Sequence, residues 1–141
     1  MAQVAIDDTI FRLTADGPRL VGGRCGACSQ VTFPAQSGCP RCFSDDMSEV
    51  ELPDRGTLWT FTTQGFPPKA APEGAYLGPL DPFEPYCVGY IELEGHCKVE
   101  ARITEADPAE MTIGQEMRLV LIPLSDELTT FAFEPVPEVK A

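Results

Sequence analysis

The sequence has few basic residues, a single histidine and no long hydrophobic segment. Ten Lys and Arg residues against 22 Asp and Glu give the 141-residue chain a formal net charge of −12. Because proteins bind a phosphate backbone mainly through Lys and Arg, this balance argues against general nucleic-acid binding. No apolar run approaches the roughly 20 residues that a membrane-spanning helix needs, so we expect no membrane insertion.

Familiar catalytic motifs and an export signal are also missing from the sequence. It contains no Gly-rich phosphate loop and no HExxH motif, and its one histidine, His96, falls in a predicted turn without a paired nucleophile. We therefore expect no catalytic residue here and no catalysis by this chain alone. The amino terminus has no basic residue ahead of an apolar stretch, which predicts a cytoplasmic protein with reduced thiols.

Four of the six cysteines form two CxxC pairs, Cys25 with Cys28 and Cys39 with Cys42, separated by ten residues. Each pair can present two sulfur atoms from one tight turn, and two pairs complete a tetrahedral shell with no position left for water. The pattern predicts one structural zinc ion per chain. Mononuclear iron uses a similar sulfur geometry and would make the chain a rubredoxin-like electron carrier, which is the alternative.

Composition divides the chain into three predicted segments. Residues 1–24 are predicted to be an N-terminal helical segment and a lead-in strand, because Ile6, Ile10 and Leu13 recur at helical spacing. Residues 25–52, rich in cysteine, glycine and proline, are predicted to form the zinc ribbon. Residues 53–141 are predicted to form a separate domain of β-strands.

The strand-rich segment predicts a mainly β fold with a five-stranded barrel of OB type. Runs of β-branched and aromatic residues predict strands at 57–65, 86–93, 96–104, 117–122 and 129–133. Asp107 is predicted to cap one helical turn between the third and fourth strands. This order matches a small Greek-key barrel, and a five-stranded sandwich is the alternative.

The second and third strands are predicted to form a hairpin around a two-residue turn, Glu94-Gly95. This register would pair Leu93 with His96 and Tyr90 with Val99, and it collects apolar side chains on one side.

A single-stranded nucleic-acid-binding barrel remains an alternative function. It would require aromatic side chains on an open barrel face, ringed by basic residues.

The order of these parts resembles a family, formerly a domain of unknown function, that pairs a rubredoxin-like zinc ribbon with an acyl-CoA-associated OB-fold. The resemblance covers roughly residues 8–135. The matching motifs, in order, are LVGGRC at 20–25, TFP at 32–34, CPRC at 39–42, RGTLWTFT at 55–62, FEPY at 83–86, GYIEL at 89–93 and TFAF at 130–133.

The resemblance implies a non-catalytic small subunit of a thiolase-superfamily enzyme that cleaves C–C bonds of acyl-CoA thioesters by thiolysis or by an aldol reaction. GFPPK at 65–69 and FEPY at 83–86 look closest to small subunits of benzoylsuccinyl-CoA thiolases and steroid side-chain aldolases. It implies a hetero-oligomer with a thiolase-fold catalytic subunit. It also implies that the small subunit stabilises that partner and helps to bind the CoA substrate.

Candidate contact residues follow from this reading. Between the first two barrel strands lies a long segment, 64–85, with six prolines, and such a connection is either disordered or functional. This segment and the predicted helix would supply the partner interface through Ile6, Ile10, Phe11, Leu13, Tyr76 and Phe83. Alternatively, the loop aromatics only pin the loop over the barrel. The CoA phosphates and tail would meet Lys69, Arg24, Arg41 and Phe66.

Overall fold

The computed structural model describes residues 4–5, 9–66, 84–123 and 128–137 of the chain. Within these ranges it forms ten strands and one 3-10 helix, and no helix there is long and apolar enough to cross a bilayer. The strands are β1 (Val4–Ala5), β2 (Phe11–Thr14), β3 (Gly17–Cys25), β4 (Val31–Thr32), β5 (Met47–Glu51), β6 (Arg55–Gln64), β7 (Tyr86–Leu93), β8 (Cys97–Ile103), β9 (Glu116–Pro123) and β10 (Leu128–Pro135).

Strands β6 to β10 close into the predicted five-stranded barrel. Strands β6, β7 and β8 pair antiparallel in sequence order, and β9 returns to pair with β6. Strand β10 closes the circle, because it pairs antiparallel with β9 and parallel with β8. The barrel is confirmed and the sandwich alternative is excluded. The 3-10 helix (Pro108–Glu110) lies between β8 and β9, and the Asp107 carboxylate accepts a hydrogen bond from the Ala109 N–H at 2.9 Å, as predicted.

The predicted N-terminal helix is wrong over the described residues. Strands β2 and β3 instead form an antiparallel hairpin in which Phe11 pairs with Leu20 and Thr14 with Gly17. The Thr14 hydroxyl donates to the Gly17 carbonyl at 2.6 Å, and Gly17 has a φ of 105°, which favours glycine. The Asp-Gly turn therefore outweighs the helical spacing of three apolar residues.

The predicted β7–β8 register is wrong by one residue. The turn contains three residues, 94–96, so Leu93 pairs with Cys97 and Tyr90 with Glu100. The His96 N–H closes this turn on the Leu93 carbonyl at 2.9 Å, and Gly95 has a φ of 77°. The shift turns Tyr90 toward solvent and places the smaller or aliphatic side chains of β7 in the core.

A β-bulge in β6 further changes which side chains face outward. Leu58 pairs with Ile91 and Thr60 with Tyr90, which leaves Trp59 as the extra residue. Leu58 is fully buried, while Trp59 is 52% exposed. Simple alternation predicted neither the bulge nor this outcome, because it assumes that every residue has a cross-strand partner.

The ribbon sheet, formed by β2 to β5, and the barrel share one hydrophobic core. Leu20 and Leu52 belong to the same buried cluster as Leu58 and Phe133 of the barrel. The rings of Phe11 and Phe131 meet edge to face at 6.2 Å between centroids. Folding of the ribbon and of the barrel is therefore coupled by apolar burial.

Candidate metal centre and outer barrel face

The four predicted metal ligands converge on one point. Their Sγ atoms all lie within 4.8 Å of one another, and the Cys25–Cys42 and Cys28–Cys39 pairs are each 3.5 Å apart. Sulfur atoms at the corners of a tetrahedron with metal–sulfur bonds of about 2.3 Å would be about 3.8 Å apart. The donor set and its spacing therefore fit a structural metal ion bound by four thiolates.

Backbone N–H groups hold the sulfur atoms in place. The Cys25 sulfur accepts from the N–H groups of Ala27 at 3.3 Å and Cys28 at 3.4 Å. The Cys39 sulfur accepts from the N–H of Arg41 at 3.4 Å. Such bonds stabilise the thiolate form, which is the form that binds a metal.

The two CxxC turns repeat the same backbone conformation. The Ser29 N–H donates to the Cys25 carbonyl, and the Phe43 N–H donates to the Cys39 carbonyl, both at 2.9 Å. Ser29 has a φ of 67° and Phe43 a φ of 65°. Phe43 is unusual, because this left-handed conformation strains a bulky residue and its side chain is 86% exposed.

The pKa values of Cys39 and Cys42 are shifted in opposite directions. Hydrogen bonds from the backbone of Cys42 and then of Arg41 outweigh burial and lower the pKa of Cys39 to about 6. The backbone of Ser44 acts to lower the pKa of Cys42, but the neighbouring sulfur of Cys25 and burial outweigh it and raise this pKa to about 12. Neighbouring thiolates thus repel one another, and a bound divalent cation would offset this repulsion.

The candidate CoA contacts are split between the two parts of the fold. Arg24 and Arg41 flank the metal ligands, and both are exposed. Within the part of the chain that the structure describes, neither arginine forms an ion pair. Phe66 follows β6 on the barrel and is 80% exposed, while Lys69 lies outside the described residues.

The candidate interface residues change with the loss of the predicted helix. Phe11 is fully buried, because in a strand it faces the core, so it offers no surface to a partner. Ile10 packs partly buried against the same core, whereas Leu13 is 54% exposed. The remaining three candidates, Ile6, Tyr76 and Phe83, lie outside the described residues.

The structure also shows an aromatic cluster that the sequence reasoning missed. The rings of Trp59 and Tyr90 meet edge to face at 6.2 Å on the outside of the barrel, and Lys98 Nζ lies 4.6 Å from the centre of the Trp59 ring. The cluster depends on the bulge and on the three-residue turn. The available sequence signal was Gly95, at the third position of a four-residue turn.

Two family profiles cover most of the chain. Residues 15–48 match the rubredoxin-like zinc ribbon domain of ChsH2, and residues 49–121 match the C-terminal OB-fold domain of ChsH2.

Individual proteins and a solved structure are also similar to this chain over most of its length. The benzoylsuccinyl-CoA thiolase subunit BbsA of Thauera aromatica is 32% identical over 114 residues, which cover 74% of this chain and 72% of that protein. A DUF35 domain-containing scaffold protein of Methanocaldococcus jannaschii is 28% identical over 102 residues, covering 72% and 66%. Among solved structures, the Ltp2-ChsH2(DUF35) aldolase aligns with a TM-score of 0.62 and 29% identity, covering 83% of this chain and 84% of the other.

Proposed function

This chain belongs to the ChsH2 family of zinc-ribbon and OB-fold proteins, and we propose that it is a non-catalytic accessory subunit of a thiolase-superfamily enzyme acting on acyl-CoA thioesters. The observation that carries the proposal is its similarity, over most of both chains, to a protein named as a benzoylsuccinyl-CoA thiolase subunit. The similarity to a chain of an aldolase structure supports the same role. The resemblance predicted from the sequence is confirmed.

We propose zinc as the metal held by Cys25, Cys28, Cys39 and Cys42. The four-sulfur set and the ribbon fold both favour zinc, and with four protein ligands the ion is structural. The ion would fix the two CxxC turns relative to β3. Metal analysis of the purified chain tests this: one zinc per chain is expected, and a red protein containing iron would contradict it.

The proposed partner is a thiolase-fold catalytic subunit, joined to this chain in a hetero-oligomer. Exposed apolar side chains on the ribbon support this proposal, because Leu13 is 54% exposed and Phe43 is 86% exposed. Aromatic side chains such as that of Phe43 are enriched at the buried centre of protein interfaces. The partner would perform the thiolytic or aldol cleavage.

The proposed ligand of the assembled enzyme is its acyl-CoA substrate. Arg24 and Arg41 support a contact with the CoA phosphates, because they are exposed cations without a carboxylate partner among the described residues. Lys69 and Phe66 remain the candidates from the barrel side. Arg24→Ala and Arg41→Ala should raise the KM for the CoA substrate and leave assembly intact.

Co-expression tests the subunit role directly. The untagged thiolase-superfamily protein encoded nearest to this chain should co-purify with it at a fixed stoichiometry. The Phe43→Ala chain is the matched variant and should hold its metal but co-purify more weakly. A chain that remains alone at micromolar concentrations of the thiolase would contradict the proposal.

A further inference from the structure

The outer face of β6, β7 and β8 carries two exposed aromatic rings that meet at a corner. Trp59 and Tyr90 lie at an interplanar angle of 87°, and they are 52% and 42% exposed. Beside β6, the Gly114 N–H donates to the Leu58 carbonyl at 2.8 Å, and the preceding residue, Ile113, is 60% exposed. Exposed apolar side chains that lie together, Trp and Tyr above all, are typical of protein–protein contact surfaces.

The charged side chains of the same face alternate in sign. The outward side chains of β8 are Lys98, Glu100 and Arg102. Lys98 Nζ covers one face of the Trp59 ring, 4.6 Å from its centre, and it lies 3.8 Å from a carboxylate oxygen of Glu92. An exposed ion pair of this kind is weak, so Lys98 can exchange Glu92 for another carboxylate.

A surface with alternating charges is complementary to a copy of itself. Two copies of a chain with a net charge of −12 repel each other on average. On the ribbon, this repulsion is strong at β5, where Glu49 and Glu51 follow Asp45 and Asp46 and all four are exposed. On the barrel face, cations and carboxylates are interspersed, so a two-fold axis can bring opposite charges together from both copies.

We propose that this face binds a second copy of the chain in a two-fold dimer. The two β8 strands face each other in antiparallel orientation, and the axis passes between Lys98 and Glu100, which are about 7 Å apart along the strand. Each Lys98 then contacts Glu100 of the second copy. Because Lys98 lies over Trp59, and Glu100 pairs with Tyr90, each Trp59 packs near Tyr90 of the second copy. Burial of the rings supplies the affinity, and the charge pairs fix the orientation.

The association state of the isolated, metal-loaded, full-length chain tests this proposal independently of the subunit role. Sedimentation equilibrium between about 1 µM and about 1 mM should show reversible conversion of monomer to dimer. Trp59 is the only tryptophan, so its emission maximum should shift to shorter wavelengths over the same range. A chain that stays monomeric, or a dimer with unchanged Trp59 emission, would overturn the proposal. A monomer whose emission shifts only when the proposed catalytic subunit is added would assign the face to that subunit instead.

Charge reversal tests the orientation of the two copies. Lys98→Glu and Glu100→Lys should each weaken the dimer by about tenfold or more, because like charges then meet across the axis. Glu100→Lys is the more stringent case, since it also lowers the net negative charge of the chain. The double variant, Lys98→Glu with Glu100→Lys, should restore dimerisation. Failure of the double variant to recover, or folded single variants that dimerise like the wild type, would contradict the proposed pairing.

Aromatic variants test the contribution of the rings. Tyr90→Ala should weaken the dimer by about tenfold or more, as the loss of a central interface residue does. Phe43→Ala removes an exposed aromatic ring on the ribbon and is the matched control, so it should dimerise like the wild type. Equal affinities of these two folded variants would overturn the proposal.

Discussion

At the scale of single residues, Phe43 is the clearest conflict between local conformation and sequence. It repeats the left-handed position of Ser29 in the other CxxC turn, yet its ring is 86% exposed. In the isolated chain, therefore, little burial offsets the backbone strain. Because little burial among the described residues compensates this strain, the exposed ring of Phe43 supports the proposed contact with a partner.

Phe43→Gly should consequently separate stability from assembly. The free energy of unfolding should rise by about 1 kcal/mol, because glycine adopts a positive φ without a steric cost. Chemical denaturation measures this change, and Ser29→Gly serves as the control at the equivalent position of the other turn. Association with the proposed catalytic partner should weaken only for the Phe43 variant. A Phe43→Gly chain that is less stable and assembles normally would contradict this account.

Gly89 is a second position where the size of one residue matters, because its Cα packs closely against neighbouring strands of the barrel. A Cβ atom there would lie 2.6 Å from the Thr60 carbonyl oxygen and 2.8 Å from the Ile103 side chain. Gly89→Ala should therefore destabilise the barrel by about 1–3 kcal/mol through overpacking. Gly38→Ala has nothing within 4 Å of the new methyl group and should change stability little. Thermal unfolding compares the two variants, and equal melting temperatures would contradict the prediction, because they would show that the neighbours of Gly89 adjust to the added methyl group at little cost.

At the scale of elements, turn chemistry proved more decisive than hydrophobic spacing. The barrel strands and the Asp107 cap were predictable, because their boundaries carry clear Gly, Pro and Asp signals. The helix prediction was wrong because the Asp16-Gly17 turn joins β2 and β3 into a hairpin. The predicted β7–β8 register was wrong because Gly95 supports a turn that is one residue longer. The bulge at Trp59 carries no sequence signal of its own. These last two errors together concealed the exposed Trp59–Tyr90 corner.

The metal centre should also support more than the ribbon. Cys28→Ser removes one of four ligands and should release the metal. The ribbon should then lose stability, because metal binding supplies much of the folding free energy of such a module. Because Leu20 and Leu52 share the barrel core, the melting temperature of the barrel should fall as well. Cys97→Ser, which is outside the metal centre, should retain the metal. Metal content and calorimetry measure both effects, and an unchanged barrel transition in a metal-free Cys28→Ser chain would show independent cores.

At the scale of the whole molecule, the four cysteines and the family motifs were readable from the sequence because both consist of short, local patterns. The exposed surfaces were not, because exposure depends on how distant strands pair. In the described residues, the ribbon and the closed barrel share one hydrophobic core. Apolar side chains such as Phe43 and Leu13 are exposed to solvent. These exposed apolar side chains support the proposed role of this chain as a subunit that contacts a catalytic partner.

The most direct test of the subunit role is turnover of an acyl-CoA substrate by the thiolase-superfamily partner, measured with and without this chain. Equimolar, metal-loaded chain should restore full C–C bond cleavage to a partner that is poorly active alone, and the chain by itself should show none. Restoration should saturate at the stoichiometry of the co-purified complex. Full activity of the partner alone, unchanged when this chain is added, would contradict the account.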